Sequence, residues 1–313
     1  MSCLLCVLQY LRTQTQGELT MKTMIQYYQV AGHVFGIEAT QEQIACLTNY
    51  APFRCDEIER SCLFSIHVHG TPIPGAESFE HVYTDKSDED MPRIEMYQRP
   101  GEWLFRISMY REGEIVSAMR CSADWREVNL YLTDQNTRFA IDNAAMLVYA
   151  FATAGLQTLL FHSSVTVRGG KGYMFLGHSG TGKSTHSRQW LTAFPEAELL
   201  NDDNPVVRIL PDETIQVYGS PWSGKTPCYK NASAPVGALV QLAQAPANEI
   251  KRLKMTQAYP YILASVSGLK VLPQMMDTLY ETIAKLLEIS PVYHLECLPN
   301  VEAAQLCAQT CSL

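Results

Sequence analysis

The chain has 313 residues and a formal net charge of −8, with 47% hydrophobic and 18% charged residues. That balance describes a globular protein of one or two domains with a sizeable core. Its acidity argues against a nucleic-acid or anionic-membrane partner, so any phosphate it holds must be held by local features.

The opening stretch, MSCLLCVLQYL, is apolar but has no basic residue before Arg12 and no small-residue cleavage site, so it does not read as a secretory signal. With ten cysteines in the chain, this favours reduced thiols and a cytoplasmic location. Cys3 and Cys6 form a single CxxC without a second pair at zinc-finger spacing. His294, Cys297, Cys307 and Cys311 are spread over the tail and read as structural residues rather than metal ligands. Residues 1–23 read as an extension, either a disordered tail or the product of a start codon upstream of Met21 and Met24.

Residues 24–135 read as a β-rich N-terminal domain. MIQYYQVAGHVFGIEA is rich in aromatics and Val, and its glycines suggest a bulge or bend. TQEQIACL reads as a short helix with Thr40 and Gln43 at capping-box spacing. LFSIHVHG alternates Phe64, Ile66 and Val68. RIEMYQR, EWLFRISMY, EIVSAMRC and REVNLYL follow at short intervals with turn residues between them, the pattern of an antiparallel meander.

Residues 136–313 read as an α/β domain with a mixed sheet. It opens on a long apolar helix, from about Ile141 to Leu160. Gln157 and Thr158 interrupt its apolar run, which favours burial between the domains over a membrane span. HSSVTVRG and KGYMFLG then read as two strands joined by a glycine turn, and ELLNDDNPVVRIL, ETIQVYG and VGALVQL as further strands. TQAYPYILASV and PQMMDTLYETIAKLLEI read as helices, with VYHLEC beyond them.

Gly177, Gly182, Lys183 and Ser184 match G-x-x-x-x-G-K-[ST], between a strand ending at Leu176 and a helix starting near Lys183. Glycines let backbone N–H groups approach phosphate oxygens, and the helix N-terminus adds partial positive charge. Gly177, His178, Ser179, Gly180, Thr181, Gly182, Lys183, Ser184 and Thr185 therefore form a candidate ATP-binding stretch. Lys183 would reach the β- and γ-phosphates and Ser184 would ligate Mg²⁺. Motors, switches, transporters and kinases share such a loop, and the next acidic residues discriminate among them. Asp202 and Asp203 end a strand only 18 residues after Ser184 (202 − 184), which leaves room for one helix and one return strand. One carboxylate can hold Mg²⁺ and the other can take a proton from an attacking hydroxyl. Which of Asp202 and Asp203 takes which role is left open by the sequence.

The combination HSSVTV, GKGYMFLGHSGTGKST and LLNDDN resembles the C-terminal kinase domain of HPr kinase/phosphorylase. It also resembles the nucleotide site of ATP-dependent phosphoenolpyruvate carboxykinase, which shares that fold. The SGTGK core and the doubled Asp are most like the carboxykinase. A His 15 residues before the first loop glycine (177 − 162) is most like HPr kinase. The likeness covers about residues 160 to 245, and implies that His162, Lys183, Asp202 and Asp203 form a catalytic set, with Asp203 favoured as the base and Asp202 as the metal ligand. A β-rich domain ahead of such a module also resembles HPr kinase-like proteins found beside peptide-modification genes, some of which phosphorylate a serine on a peptide. The implied activity is transfer of the γ-phosphoryl group of ATP to a hydroxyl, probed first as serine of a small protein or peptide. A nucleotide sensor without transfer and a carboxykinase-like enzyme remain alternatives, and a homo-oligomer is left open. The downstream Glu-Ile-Arg-Gly tract of HPr kinase has no match: Gln216 and Tyr218 stand near the expected Glu and Arg. Phosphorylase activity and a second metal lose their ligands with it. The loop that follows carries Lys225 and Lys230, and Lys225 is the candidate cation for the γ-phosphate in place of the arginine, against a reading as a solvated loop lysine.

Overall fold

The computed structural model describes residues 22–56, 62–85, 92–224, 226–268 and 272–311. The chain opens on a hairpin: β1 (Thr23–Val30) and β2 (His33–Thr40) pair antiparallel from Thr23 opposite Thr40 to Val30 opposite His33. Ala31 and Gly32 turn the corner with φ of 49° and 79°, the left-handed pair that matches the twist of two hairpin strands. The glycine expected to mark a bend thus marks a tight turn. α1 (Gln41–Cys46) follows, and its capping box is formed. The Gln43 N–H donates to Thr40 Oγ1 at 3.2 Å, and the Thr40 N–H donates to Gln43 Oε1 at 3.0 Å.

A 3₁₀ turn (Thr48–Phe53) and the two-residue β3 (Arg54–Cys55) lead to β4 (Ser65–His69), β5 (Glu80–Thr84), β6 (Ile94–Arg99), β7 (Glu102–Ser108), β8 (Ile115–Ser122) and β9 (Glu127–Leu132). The sheet order is β3-β1-β2-β4-β9-β8-β7-β6-β5. β5 to β9 form the expected antiparallel meander. β4 lies parallel to both β2 and β9, so the sheet is mixed. Alternation in the sequence marks β4 as a strand but carries no information about which neighbours it joins.

α2 (Thr137–Thr153) crosses from this sheet to the next. The α-helix stops short of the expected Leu160. A 3₁₀ turn ends in Gln157 at φ 51°, and Thr158–Leu160 forms β10, paired with Val206–Arg208. Strand pairing overrides helix propensity in those last three residues. The run Asp134–Leu156 is long and apolar enough to cross a membrane by length and composition, and half of its apolar window is buried inside the fold. Ala140, Ile141, Ala144, Val148 and Phe151 make its buried face.

The second sheet contains β10 (Thr158–Leu160), β11 (Ser163–Arg168), β12 (Lys171–Leu176), β13 (Glu198–Asp203), β14 (Val206–Ile209), β15 (Ile215–Tyr218), β16 (Ser233–Gln244), β17 (Glu249–Arg252) and β18 (Val292–Cys297). Its order is β10-β14-β15-β16-β12-β11-β13, and β18 pairs with both β16 and β17. The 12-residue β16 joins the two halves of this sheet. Its first residues run antiparallel to β15, and its later ones run parallel to β12 and β18. ELLNDDNPVVRIL is two strands rather than one: Asn204 and Pro205 break it, because proline has no N–H to continue a ladder. α3 (Lys183–Ala193), α4 (Met255–Ser265), α5 (Pro273–Ile289) and α6 (Val301–Cys311) complete the chain. α6 has no counterpart among the sequence expectations. The protein is thus mixed α/β with two large mixed sheets, mostly strands.

One hydrophobic cluster includes Phe35 and Tyr50 of the first sheet's layer, Ile141 and Val148 of α2, and Leu160, Val206 and Trp222 from the second half. Trp222 stacks on Phe35 at 6.5 Å and tilts against Tyr149 at 5.2 Å. Its Nε1–H donates to the Tyr50 hydroxyl at 3.0 Å. A loop of the second sheet is thereby anchored in the core of the first. Truncating a buried aromatic of this size costs about 3–5 kcal/mol. Trp222→Ala is therefore expected to lower the free energy of unfolding by that amount, and Trp222→Phe by clearly less, in urea equilibrium unfolding followed by circular dichroism.

Candidate functional site

Strand register decides where the site lies. Leu176, the last residue of β12, sits opposite Ser163 of β11, and Ser163 sits opposite Asp203 of β13. Neighbouring strands lie about 4.8 Å apart. The residues just beyond that row, Gly177 and His162, therefore share one sheet edge with Asp203.

Gly177 leaves β12 at φ 150°, and a Cβ there would lie 2.9 Å from Thr181 Cγ2. Gly182 caps α3 at φ 106°, in the region that L side chains rarely adopt. Between them the Thr181 N–H donates to the His178 carbonyl at 3.2 Å. Gln244, the last residue of β16, donates its Nε2–H to the Gly180 carbonyl at 3.1 Å and steadies the loop from outside. His178, Ser179 and Gly180 are exposed, and Lys183, Ser184 and Thr185 are half-buried in the first turn of α3. The Lys183 ammonium folds back to donate to the carbonyls of Gly177 at 2.9 Å and His178 at 3.3 Å. α3 is held down by a 2.5 Å hydrogen bond between the Ser187 and Ser164 hydroxyls. Trp190 Nε1–H also donates to His186 Nε2 at 3.1 Å. The result is a loop with the backbone shape and helix N-terminus that suit a phosphate group.

Successive residues of a strand point to opposite faces, and the doubled aspartate divides accordingly. Asp202 is buried, while Asp203 is half-buried. Asp203 Oδ1 lies 3.3 Å from His162 Nε2, and its Oδ2 accepts from Asn204 Nδ2 at 2.9 Å. The Asp203 N–H donates to Asn201 Oδ1 at 3.1 Å, and the Asp202 carbonyl accepts from the Gly224 N–H at 2.8 Å. Burial raises the Asp203 carboxyl to about 6; Lys183 opposes the shift and the Asp202 charge adds to it. Burial lowers the Lys183 ammonium, against the pull of both aspartates. Burial also lowers His162 to about 4, and the neighbouring Lys183 and His178 add to the effect. At neutral pH, His162 is thus neutral and Asp203 ionised but easily protonated.

Two cavities flank this edge. One, of about 600 Å³, has Gly180, Thr181 and Thr185 on one side and the apolar Leu242, Pro246 and Leu298 on the other. The second, of about 360 Å³, contains His162 and Asp203 together with Arg138 and Asp142 of α2. The motif reasoning missed α2 altogether as a site element. Its only signal in the sequence is a charged pair at i and i+4, Arg138 and Asp142, in an otherwise apolar helix.

The remaining candidates separate. Lys225 lies outside the described residues. Lys230 is paired with Glu198 at 3.0 Å. Gln216 and Tyr218 sit in β15, and neither lines either cavity. Cys3, Cys6 and nearly all of the expected extension also fall outside the described residues, whereas Thr23 already belongs to β1. Cys307 and Cys311 lie side by side on α6 at 3.9 Å, and no disulfide joins the described cysteines. Among the described residues no three His, Cys, Asp or Glu side chains gather as a metal site. A magnesium ion held mainly by phosphates and water needs only one or two protein oxygens. Ser184, in the first turn of α3, and Asp202, whose charge Lys183 feels, fit that limited demand.

Burial holds His186, under the loop helix, down to about 4. The fold therefore favours its neutral form, while the unfolded chain binds a proton near pH 6.5. Its contribution to stability is complete above about pH 6.5 and is lost as the pH falls toward 4. Urea midpoints should drop across that window. In His186→Gln the slope of stability against pH should be shallower by about one proton.

No protein-family model matches the chain, and no curated protein matches it significantly.

Proposed function

We propose that the protein is an ATP- and Mg²⁺-dependent kinase of the HPr kinase-like kind, with a P-loop kinase domain behind a β-rich N-terminal domain. It transfers the γ-phosphoryl group to a hydroxyl, with serine of a small protein or peptide as the first candidate acceptor. The observation that carries this reading is the single sheet edge shared by a phosphate-shaped loop, Lys183, Asp203 and His162. A cavity opens on either side of that edge.

The loop N–H groups and the start of α3 bind the phosphate chain, and the apolar walls of the larger cavity receive the nucleoside. Lys183 exchanges its two loop carbonyls for phosphate oxygens and neutralises charge that develops on them. Ser184 and Asp202 would hold magnesium, which when bound would supply further neutralisation of the phosphates. Asp203 takes the proton of the acceptor hydroxyl as the new O–P bond forms and the bond from the γ-phosphorus to its bridging oxygen breaks; ADP leaves. His162, neutral and 3.3 Å away, orients that carboxylate and offers the proton a route to solvent. A sensor without transfer needs neither a second cavity nor a carboxyl raised toward neutrality, and this favours the transfer reading. The described cysteines are not joined by disulfides, which agrees with a cytoplasmic setting.

Calorimetry should register ATP binding in Mg²⁺. Lys183→Ala should weaken it by the roughly 1.5–3 kcal/mol of a lost charged hydrogen bond. Wild-type protein that is folded and binds no ATP would refute the proposal. Asp203→Asn keeps the shape of the side chain but removes the proton acceptor. Transfer should slow about 10²–10⁴-fold in this variant, with nucleotide affinity nearly unchanged. Because the base must be ionised, kcat/KM of the wild type should rise with pH through about 6. A rate that is flat from pH 5 to 8 contradicts the assignment.

A further inference from the structure

The cavity of about 360 Å³ beside His162 and Asp203 brings in α2, a helix that no motif connects with phosphoryl transfer. Arg138 is the one cation on its wall among the described residues, and its side chain is 45% exposed. Nη2 donates to the Tyr229 hydroxyl at 3.0 Å, and Nε lies 3.5 Å from Asp142 Oδ2. A guanidinium has five N–H donors, and these two contacts leave most of them unused.

Asp142 has further partners besides Arg138. Its Oδ1 accepts from Asn49 Nδ2 at 2.9 Å, and the Tyr50 hydroxyl also bonds to its carboxylate. Tyr50 is held in turn by the Trp222 indole at 3.0 Å, and Asn49 by a second donation to the Pro221 carbonyl at 3.0 Å. Asn49 is 1% exposed, lines the same cavity, and its Oδ1 has no hydrogen-bond partner among the described residues. Burial raises the Asp142 carboxyl, and its bonds to Asn49, Tyr50 and Arg138 oppose that shift. The wall thus presents a cation with free donors and a buried, unpaired amide oxygen, both facing a cavity that ends at the reacting pair.

We infer that this cavity is the acceptor site, and that Arg138 selects an acceptor carrying a carboxylate close to its reactive hydroxyl. This rests on the kinase reading above. A carboxylate fits the planar guanidinium fork in a way that a neutral group does not. The cavity is small, so a carboxylate on Arg138 and a hydroxyl at Asp203 belong to one residue or to adjacent ones. The carboxylate has three sources: an acidic side chain beside a serine, the terminus of a chain that ends in serine, or a free hydroxy amino acid. In each case Asp203 receives the hydroxyl proton and ADP leaves, as above. Arg138 acts in binding and takes no part in the proton transfer.

The test offers wild-type protein with radiolabelled ATP and Mg²⁺ three probes. They are a terminally amidated peptide with Ser flanked by Asp or Glu, a peptide ending in Ser with a free carboxylate, and L-serine. Each has a neutral control: Asn and Gln neighbours, an amidated terminus, and serinamide. At least one carboxylate-bearing probe should be phosphorylated with a KM about tenfold or more below that of its control. Arg138→Gln should raise that KM by a similar factor, with a smaller change in kcat and an unchanged ATP affinity by calorimetry. Arg138→Lys should keep part of the preference, and circular dichroism reports whether both variants fold. Equal use of probes and controls overturns the inference, and so does a preference that survives Arg138→Gln. If the wild type binds ATP but phosphorylates none of the probes, the inference fails while nucleotide binding stands. If it binds no ATP, the kinase reading itself fails.

Discussion

Backbone pairing of β11 with β12 on one side and β13 on the other is the constraint on which the site depends. Leu176, Ser163 and Asp203 fall in one row across three strands. A shift of one residue in the β11–β13 pairing would turn the Asp203 side chain to the opposite face of the sheet and part it from His162. The hydroxyls of Ser164 and Ser187 then tie the loop helix to the middle strand of that row. The chemistry proposed here follows from a hydrogen-bond ladder that places a carboxylate, an imidazole and a lysine in one low-dielectric setting. Burial then shifts all three toward their neutral forms.

The second dependence runs between the two sheets. Trp222, Tyr50, Asp142 and Asn49 form a continuous polar and aromatic chain from the loop beyond β15 to the 3₁₀ turn of the first half and to α2. Asn204 links this region back to the site, because its carbonyl accepts from the Ser220 hydroxyl at 2.6 Å and its side chain reaches Asp203. The first sheet contributes no residue to the loop that would hold phosphate. From its layer only Asn49, in the 3₁₀ turn, reaches the wall of the cavity next to it among the described residues, and α2 supplies Arg138, Asp142, Asn143 and Met146. Asn49 thus joins the β-rich half to the cavity beside His162 and Asp203, and the cavity beside Gly180 and Thr181 is built from the second half alone.

Much of the local structure could be read from residue patterns. Thr40 with Gln43 announces a helix start, because a side-chain acceptor three residues from a side-chain partner closes two backbone donors. The five-strand meander shows itself through alternation, and α5 through its 17-residue apolar stripe behind Pro273. Other features could not be read. β4 runs parallel between β2 and β9, and alternation is blind to neighbour and direction. Thr158–Leu160 continues an apolar helical pattern yet pairs with β14, because a strand partner half a domain away outweighs local propensity.

The sequence by itself determined the phosphate-shaped loop. Glycines at positions 177 and 182 and a helix-starting lysine dictate backbone geometry within a few residues, and such geometry is local. It also determined that two carboxylates would stand one helix beyond that loop. Only the tertiary structure decided that Asp203 turns toward His162 while Asp202 is buried, since strand register and sheet face are set by distant pairing. Only the tertiary structure, too, brought Arg138, Asp142 and Asn49 to the same cavity as Asp203. Residues 49, 138 and 203 are far apart along the chain, and burial of one shared core is what brings them together.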